Sequence, residues 1–124
     1  MPRTKGRIFQ KKPSTNLKKG GILPMVQGTT PTFILTLPNT VDLTAVSNLY
    51  FSLEQGSTKL QKTGNSLSID GQNISVYLTQ AETLKFNTGR ANLQLNWTYP
   101  DGSRACSNIV SVTVGLNLIK EVVE

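Results

Sequence analysis

Histidine is absent from this 124-residue chain, cysteine occurs once, aromatic residues make up 6%, and no acidic residue precedes Asp42. Without histidine the commonest general base and the commonest metal ligand are missing, as is every Ser–His or Cys–His nucleophile pair. The carboxylates Asp42, Glu54, Asp70, Glu82, Asp101, Glu121 and Glu124 are scattered, mostly in expected turns. No paired spacing among them would split two pKa values into an acid and a base. Glycines stand at turns and in the N-terminal stretch, never as a phosphate loop between a strand and a helix. No catalytic residue, metal ligand or cofactor is assigned, and an enzyme with a small-molecule substrate is not expected.

The single Cys106 excludes an internal disulfide and is expected to be a small buried thiol. No apolar run approaches the length of a membrane span, and the N-terminal cations are not followed by an apolar stretch of the signal-peptide kind. Neither a membrane segment nor a secretory signal is expected, and synthesis is expected in the cytoplasm. The sequons at Asn73 and Asn96 carry no weight in that setting.

What the chain does have is a polarised charge distribution. MPRTKGRIFQKKPSTNLKKGG carries seven cations and no acid, whereas from residue 22 onward six cations face seven acids, out of a total net charge of +6. Residues 1–27 show no sustained period of two or of 3.6 and read as an extended basic arm. Fixing the backbone of such a stretch costs roughly 30–50 kcal/mol. Burial of its few apolar side chains, such as Ile8, Phe9, Leu17, Ile22, Leu23, Met25 and Val26, returns about 14 kcal/mol. The arm is therefore expected to lie on a second molecule, with Arg3, Lys5, Arg7, Phe9, Lys11, Lys12, Lys18 and Lys19 as its contact residues. A neighbouring protein subunit is one such surface and nucleic acid is another. Seven phosphate contacts would give a log–log salt slope near about −6, although Phe9 is the arm's only stacking residue. A solvated tail that only aids solubility is the third reading.

From residue 28 to 115 the pattern is period two. Phe33, Leu35 and Leu37 share a face in TFILTL, as do Leu49, Phe51 and Leu53 in NLYFSLEQ, with Tyr50, Ser52 and Glu54 opposite. Leu67 and Ile69 precede an Asp70-Gly71 turn signal, and Ile74, Val76 and Leu78 follow it, which predicts a hairpin. RANLQLNWTYP aligns Leu93, Leu95, Trp97 and Tyr99; after Pro100-Asp101-Gly102, Val110, Val112 and Val114 align in SRACSNIVSVTVG, predicting a second hairpin. Thr79-Gln80-Ala81-Glu82 fits a capping box for one brief helical turn. About seven strands with polar turns predict an all-β fold, an antiparallel Ig-like two-sheet sandwich. Its core is expected to contain Phe33, Leu35, Phe51, Leu53, Leu78, Leu95, Trp97 and Val112.

Two surface features stand out. Residues 116–124, LNLIKEVVE, are too apolar to hang free in water, so Leu116, Leu118, Ile119, Val122 and Val123 are expected to be covered by the sandwich or by a neighbouring subunit; their conformation stays open. Tyr50, Tyr77 and Tyr99 are candidates for a sugar-binding or base-stacking platform; Tyr50 and Tyr77 fall opposite the apolar faces, so either one could serve a glycan-binding module, against the plainer reading of half-covered tyrosines at an edge or a contact.

The phrases MVQGTTPTFILTLP (Met25 to Pro38), VDLT (Val41 to Thr44), VYLTQAETLKF (Val76 to Phe86) and LNWTYPDGSRACSNIVSV (Leu95 to Val112) resemble a family of short phage and prophage proteins that open on a QGTTPT-type phrase. The resemblance covers about residues 25–124. More distantly the chain is similar to the N-terminal Ig-like domain of siphophage upper baseplate proteins, in which an LT-x-x-E-T phrase precedes a long hairpin around a D-G turn. It implies a non-enzymatic virion building block of the tail, baseplate, neck or capsid surface, made in the bacterial cytoplasm. The partners it implies are other virion proteins and copies of the chain itself. Capsid decoration, nucleic-acid binding through the arm and host-glycan binding are the alternatives. Residues 1–24 stand outside the resemblance.

Overall fold

The computed structural model describes residues 24–124. The expected arm contacts Arg3, Lys5, Arg7, Phe9, Lys11, Lys12, Lys18 and Lys19 lie outside the described residues. Nine strands and one short helix follow in the order β1 (Met25–Val26), β2 (Thr32–Thr36), β3 (Asn48–Gln55), β4 (Thr58–Thr63), β5 (Leu67–Asp70), β6 (Asn73–Tyr77), α1 (Gln80–Thr83), β7 (Gly89–Thr98), β8 (Arg104–Cys106) and β9 (Val110–Gly115). They form an all-β two-sheet sandwich. The larger sheet runs β1-β9-β7-β3-β4 with β8 also on β7, and the smaller runs β2-β6-β5. Every pairing is antiparallel except that of β1 with β9.

Register follows from the apolar alternation, since a slip by one residue would turn each inner side chain to water. Leu49, Phe51 and Leu53 of β3 stand opposite Trp97, Leu95 and Leu93 of β7. The smaller sheet supplies Phe33, Leu35, Ile74 and Val76 to the same core. Phe33 and Phe51 stack between the sheets with ring centroids 6.3 Å apart. All eight side chains expected in the core, Phe33, Leu35, Phe51, Leu53, Leu78, Leu95, Trp97 and Val112, are buried there. Trp97 Nε1 donates to the Tyr99 hydroxyl at 3.0 Å, so the largest core side chain keeps its polar atom satisfied.

Both expected turn devices are present. Gly71, at φ 61°, and Gln72 connect β5 to β6, where a side chain would strain the left-handed backbone. At α1, Glu82 N donates to Thr79 Oγ1 at 3.2 Å and Thr79 N donates to Glu82 Oε1 at 2.8 Å, a reciprocal capping box.

Three expectations need correction. The boundary between arm and sandwich does not lie after residue 27: Met25 is fully buried, Met25 and Val26 pair with Val114 and Gly115, and Gln27 N donates to Gly115 O at 3.1 Å. Two residues are too few to show a period, which is why the pattern missed them. SRACSNIVSVTVG is two strands rather than one, because Ser107 N donates to Leu95 O at 2.9 Å and Leu95 N donates to Ser107 Oγ at 3.0 Å, closing the β8 pairing before β9 begins. Cys106 is exposed rather than buried, since Ala105 takes the inward position of β8 and leaves its neighbours outward.

Candidate interaction surfaces

Residues 116–124 form no strand or helix. Their backbone is nevertheless held by side chains. Gln27, only 6% exposed, donates from Nε2 to Phe86 O at 2.8 Å and accepts at Oε1 from Asn117 N at 3.3 Å and from Lys120 Nζ at 2.8 Å. Asn117 returns a bond from Nδ2 to Gln27 O at 2.8 Å, and its own Oδ1 accepts from Ile119 N at 3.1 Å. At the far end, Gln80 of α1 pairs with one residue as a strand neighbour would: Nε2 donates to Val123 O and Oε1 accepts from Val123 N, both at 2.9 Å. Gly28 lies beneath, at φ +75°, where an added Cβ would stand 3.3 Å from Leu84 Cδ2 and 3.7 Å from Ile119 O.

With its backbone tied inward, the segment turns its apolar side chains outward. Leu116, Leu118, Ile119, Val122 and Val123 are 61%, 88%, 53%, 57% and 47% exposed. Val26 adds a further half-exposed aliphatic group at the neighbouring strand edge. The sandwich therefore does not cover these five residues. An apolar surface gathered on one ordered segment is the usual mark of a contact surface. The tail's composition made the residues visible in the sequence; nothing local marked Gln27 and Gln80 as their anchors. Glutamine is usually exposed, and these partners lie far away along the chain.

The second surface is the outer face of the larger sheet. Tyr50, Ser52 and Glu54 of β3, Gln61 of β4, Gln94 and Asn96 of β7 and Arg104 of β8 line a shallow hollow of about 460 Å³. Arg104 donates to Asn96 Oδ1 from Nε at 3.3 Å and from Nη2 at 3.0 Å, and Gln94 Nε2 donates to Ser107 O at 2.8 Å. Tyr77 is 53% exposed and belongs to the smaller sheet, whereas Tyr50 stands on the larger. Tyr50 is half-buried and alone lines the hollow.

Among the described residues, charge pairs closely at one place. Lys62 Nζ lies 2.8 Å from Glu82 Oε1 and also donates to Tyr77 O at 3.1 Å. Partial burial works to raise the Glu82 carboxyl, but the bond from Lys62, the Thr79 amide and the Lys62 charge together hold it below its ordinary value. Asp101 is likewise lowered by bonds from the Ser103 hydroxyl and amide, a feature of the β7–β8 turn. Among the described residues, no group of three or more Cys, Asp or Glu side chains is placed to hold a metal ion, and no helix is long and apolar enough to cross a membrane. No family model matches the sequence, and no curated protein matches it.

Proposed function

We propose that the chain is a non-enzymatic structural subunit of a bacteriophage virion, a component of the tail, baseplate, neck or capsid surface that assembles with copies of itself and with other virion proteins. The observation that carries the assembly part is the C-terminal segment, whose backbone is fastened by Gln27 and Gln80 while five aliphatic side chains face water. Covering each such side chain is worth about 1.5–3 kcal/mol when burial is complete, less in proportion to what is already covered. Because the backbone is already ordered, little of that is lost to immobilisation on binding. The virion part is supported by the phrases from QGTTPT to CSNIVSV, which the sandwich distributes over both sheets and α1.

Quantitative mass spectrometry of phage particles induced and purified from the source bacterium tests the whole reading. Several copies per particle are expected, with cryo-microscopy placing residues 116–124 at a subunit boundary. Complete absence from purified particles removes the virion role.

A further inference from the structure

The hollow on the larger sheet has no part in that assembly reading, and its chemistry points elsewhere. A solvent-facing sheet is polar as a rule, so polarity alone decides nothing. Here the side chains are arranged more specifically. Tyr50 and Ser52 stand on β3, a central strand paired on both sides, with Gln61 directly across from Ser52 on β4; Asn92, on the neighbouring central strand β7, lines an adjoining hollow that shares Ser52, Glu54 and Gln94 with the first. Strand mounting fixes their spacing more firmly than loops would. The hydroxyls of Tyr50 and Ser52 and the amides of Gln61 and Asn92 make no hydrogen bond among the described residues, whereas neighbouring Asn96 and Gln94 are engaged by Arg104 and Ser107.

The free groups therefore present both donors and acceptors, the two kinds that a sugar hydroxyl needs at once. The Tyr50 ring adds a flat apolar patch with a polar tip, suited to the C–H face of a pyranose. Among the described residues lining the hollow, only Glu54 and Arg104 are charged, with opposite signs, which favours a neutral ligand over a polyanion or a cation. Its volume of about 460 Å³ falls within the usual range for ligand sites. Four adjacent strands at about 4.8 Å spacing extend the face to roughly 15 Å, the reach of a short oligosaccharide rather than of one sugar. We infer that this face binds a neutral carbohydrate chain, with Tyr50 stacking on a ring and Ser52, Gln61 and Asn92 hydrogen-bonding its hydroxyls.

The test is an amide correlation NMR titration of the ¹⁵N-labelled full chain with maltohexaose, cellohexaose and N-acetylchitohexaose, each to about 10 mM, a ceiling that captures millimolar affinity. At least one of them shifts the amides of Tyr50, Ser52, Gln61 and Asn92 in a saturable way. Tyr50→Ala, and separately the pair Gln61→Ala with Asn92→Ala, weaken that binding about fivefold or more while the remaining spectrum is kept. These side chains point outward, so the fold is not at risk. No shift with any of the three sugars overturns the inference, as do shifts confined to another surface. Broadening of this face with protein concentration in the absence of sugar also overturns it, since a second copy would then be the occupant. None of these results bears on the C-terminal segment, whose own test is separate.

Discussion

β9 and the segment that follows it are chemically alike and physically opposite. Val110, Val112 and Val114 are at most 2% exposed, while Leu116, Leu118, Ile119, Val122 and Val123, equally apolar, are 47% exposed or more. The difference lies in what satisfies the backbone. β9 exchanges its amides and carbonyls with β7 on one side and β1 on the other, so its alternate side chains fall between the two sheets. Beyond Gly115 the partners become the side chains of Gln27 and Gln80, which hold the chain against the outside of the sandwich. Apolar character decides that a residue is to be covered. Hydrogen bonding decides by which molecule.

Matched substitutions separate the two regions most widely. Val112→Glu places a carboxylate with no partner between the sheets and is expected to cost about 4 kcal/mol or more, seen as loss of the cooperative unfolding transition or a collapse of its midpoint. Leu118→Glu, at an 88% exposed position, is expected to stay within about 0.5 kcal/mol of the parent in the same measurement.

The next largest effect is expected at Gln27. Gln27→Ala leaves Phe86 O and Asn117 N without their partner and is expected to cost about 2–3 kcal/mol in urea denaturation. Amide hydrogen exchange should quicken at Asn117 and Ile119 while β9 keeps its protection. Equal loosening of β9 would mean that the two regions are one cooperative unit.

Glu82 offers a smaller lever, through the helix that carries Gln80. Its carboxyl titrates lower in the folded chain than its ordinary value of 4.5, so on acidification the unfolded chain takes up the proton first. The stabilisation is therefore complete above about pH 4.5 and is lost as pH falls through the lower folded value. Glu82→Gln keeps the capping geometry but not the charge. It is expected to be about 1 kcal/mol less stable than the parent at pH 7 and equal to it near pH 3, in paired denaturation series. A smaller loss than at Glu82 belongs to Gln80→Ala, about 0.5 kcal/mol, with faster exchange confined to Val123.

Much of the sandwich could be read from the sequence, and the reasons for success and failure differ. β2, β3, β6 and β7 alternate clearly because each has one face on the core and one in water. The Thr79–Glu82 cap and the Asp70-Gly71 turn are local devices, complete within four residues. β4 has Leu60 as its single buried residue, with Lys59 and Lys62 suited to an unpaired sheet edge, so it shows no period. β1 and the Gln27 anchor depend on residues near 115, some 90 positions away. Gln72 also reaches out of its own turn, to partners 31–35 positions away: its Nε2 donates to the Leu37, Pro38 and Val41 carbonyls at 3.3, 2.7 and 2.9 Å. Period and turn chemistry record which side chains are apolar. They carry no trace of which distant amide will complete a loop. For the same reason the C-terminal residues were legible as sticky, while their outward display was not.

Light scattering coupled to size-exclusion chromatography, run on the full chain and on a Leu118→Glu, Val122→Glu variant across a range of concentrations, tests the display of that segment most directly. The parent is expected to run as an oligomer and the variant as a monomer with an unchanged thermal midpoint. A parent that stays monomeric throughout, or a variant that assembles as the parent does, would contradict the account.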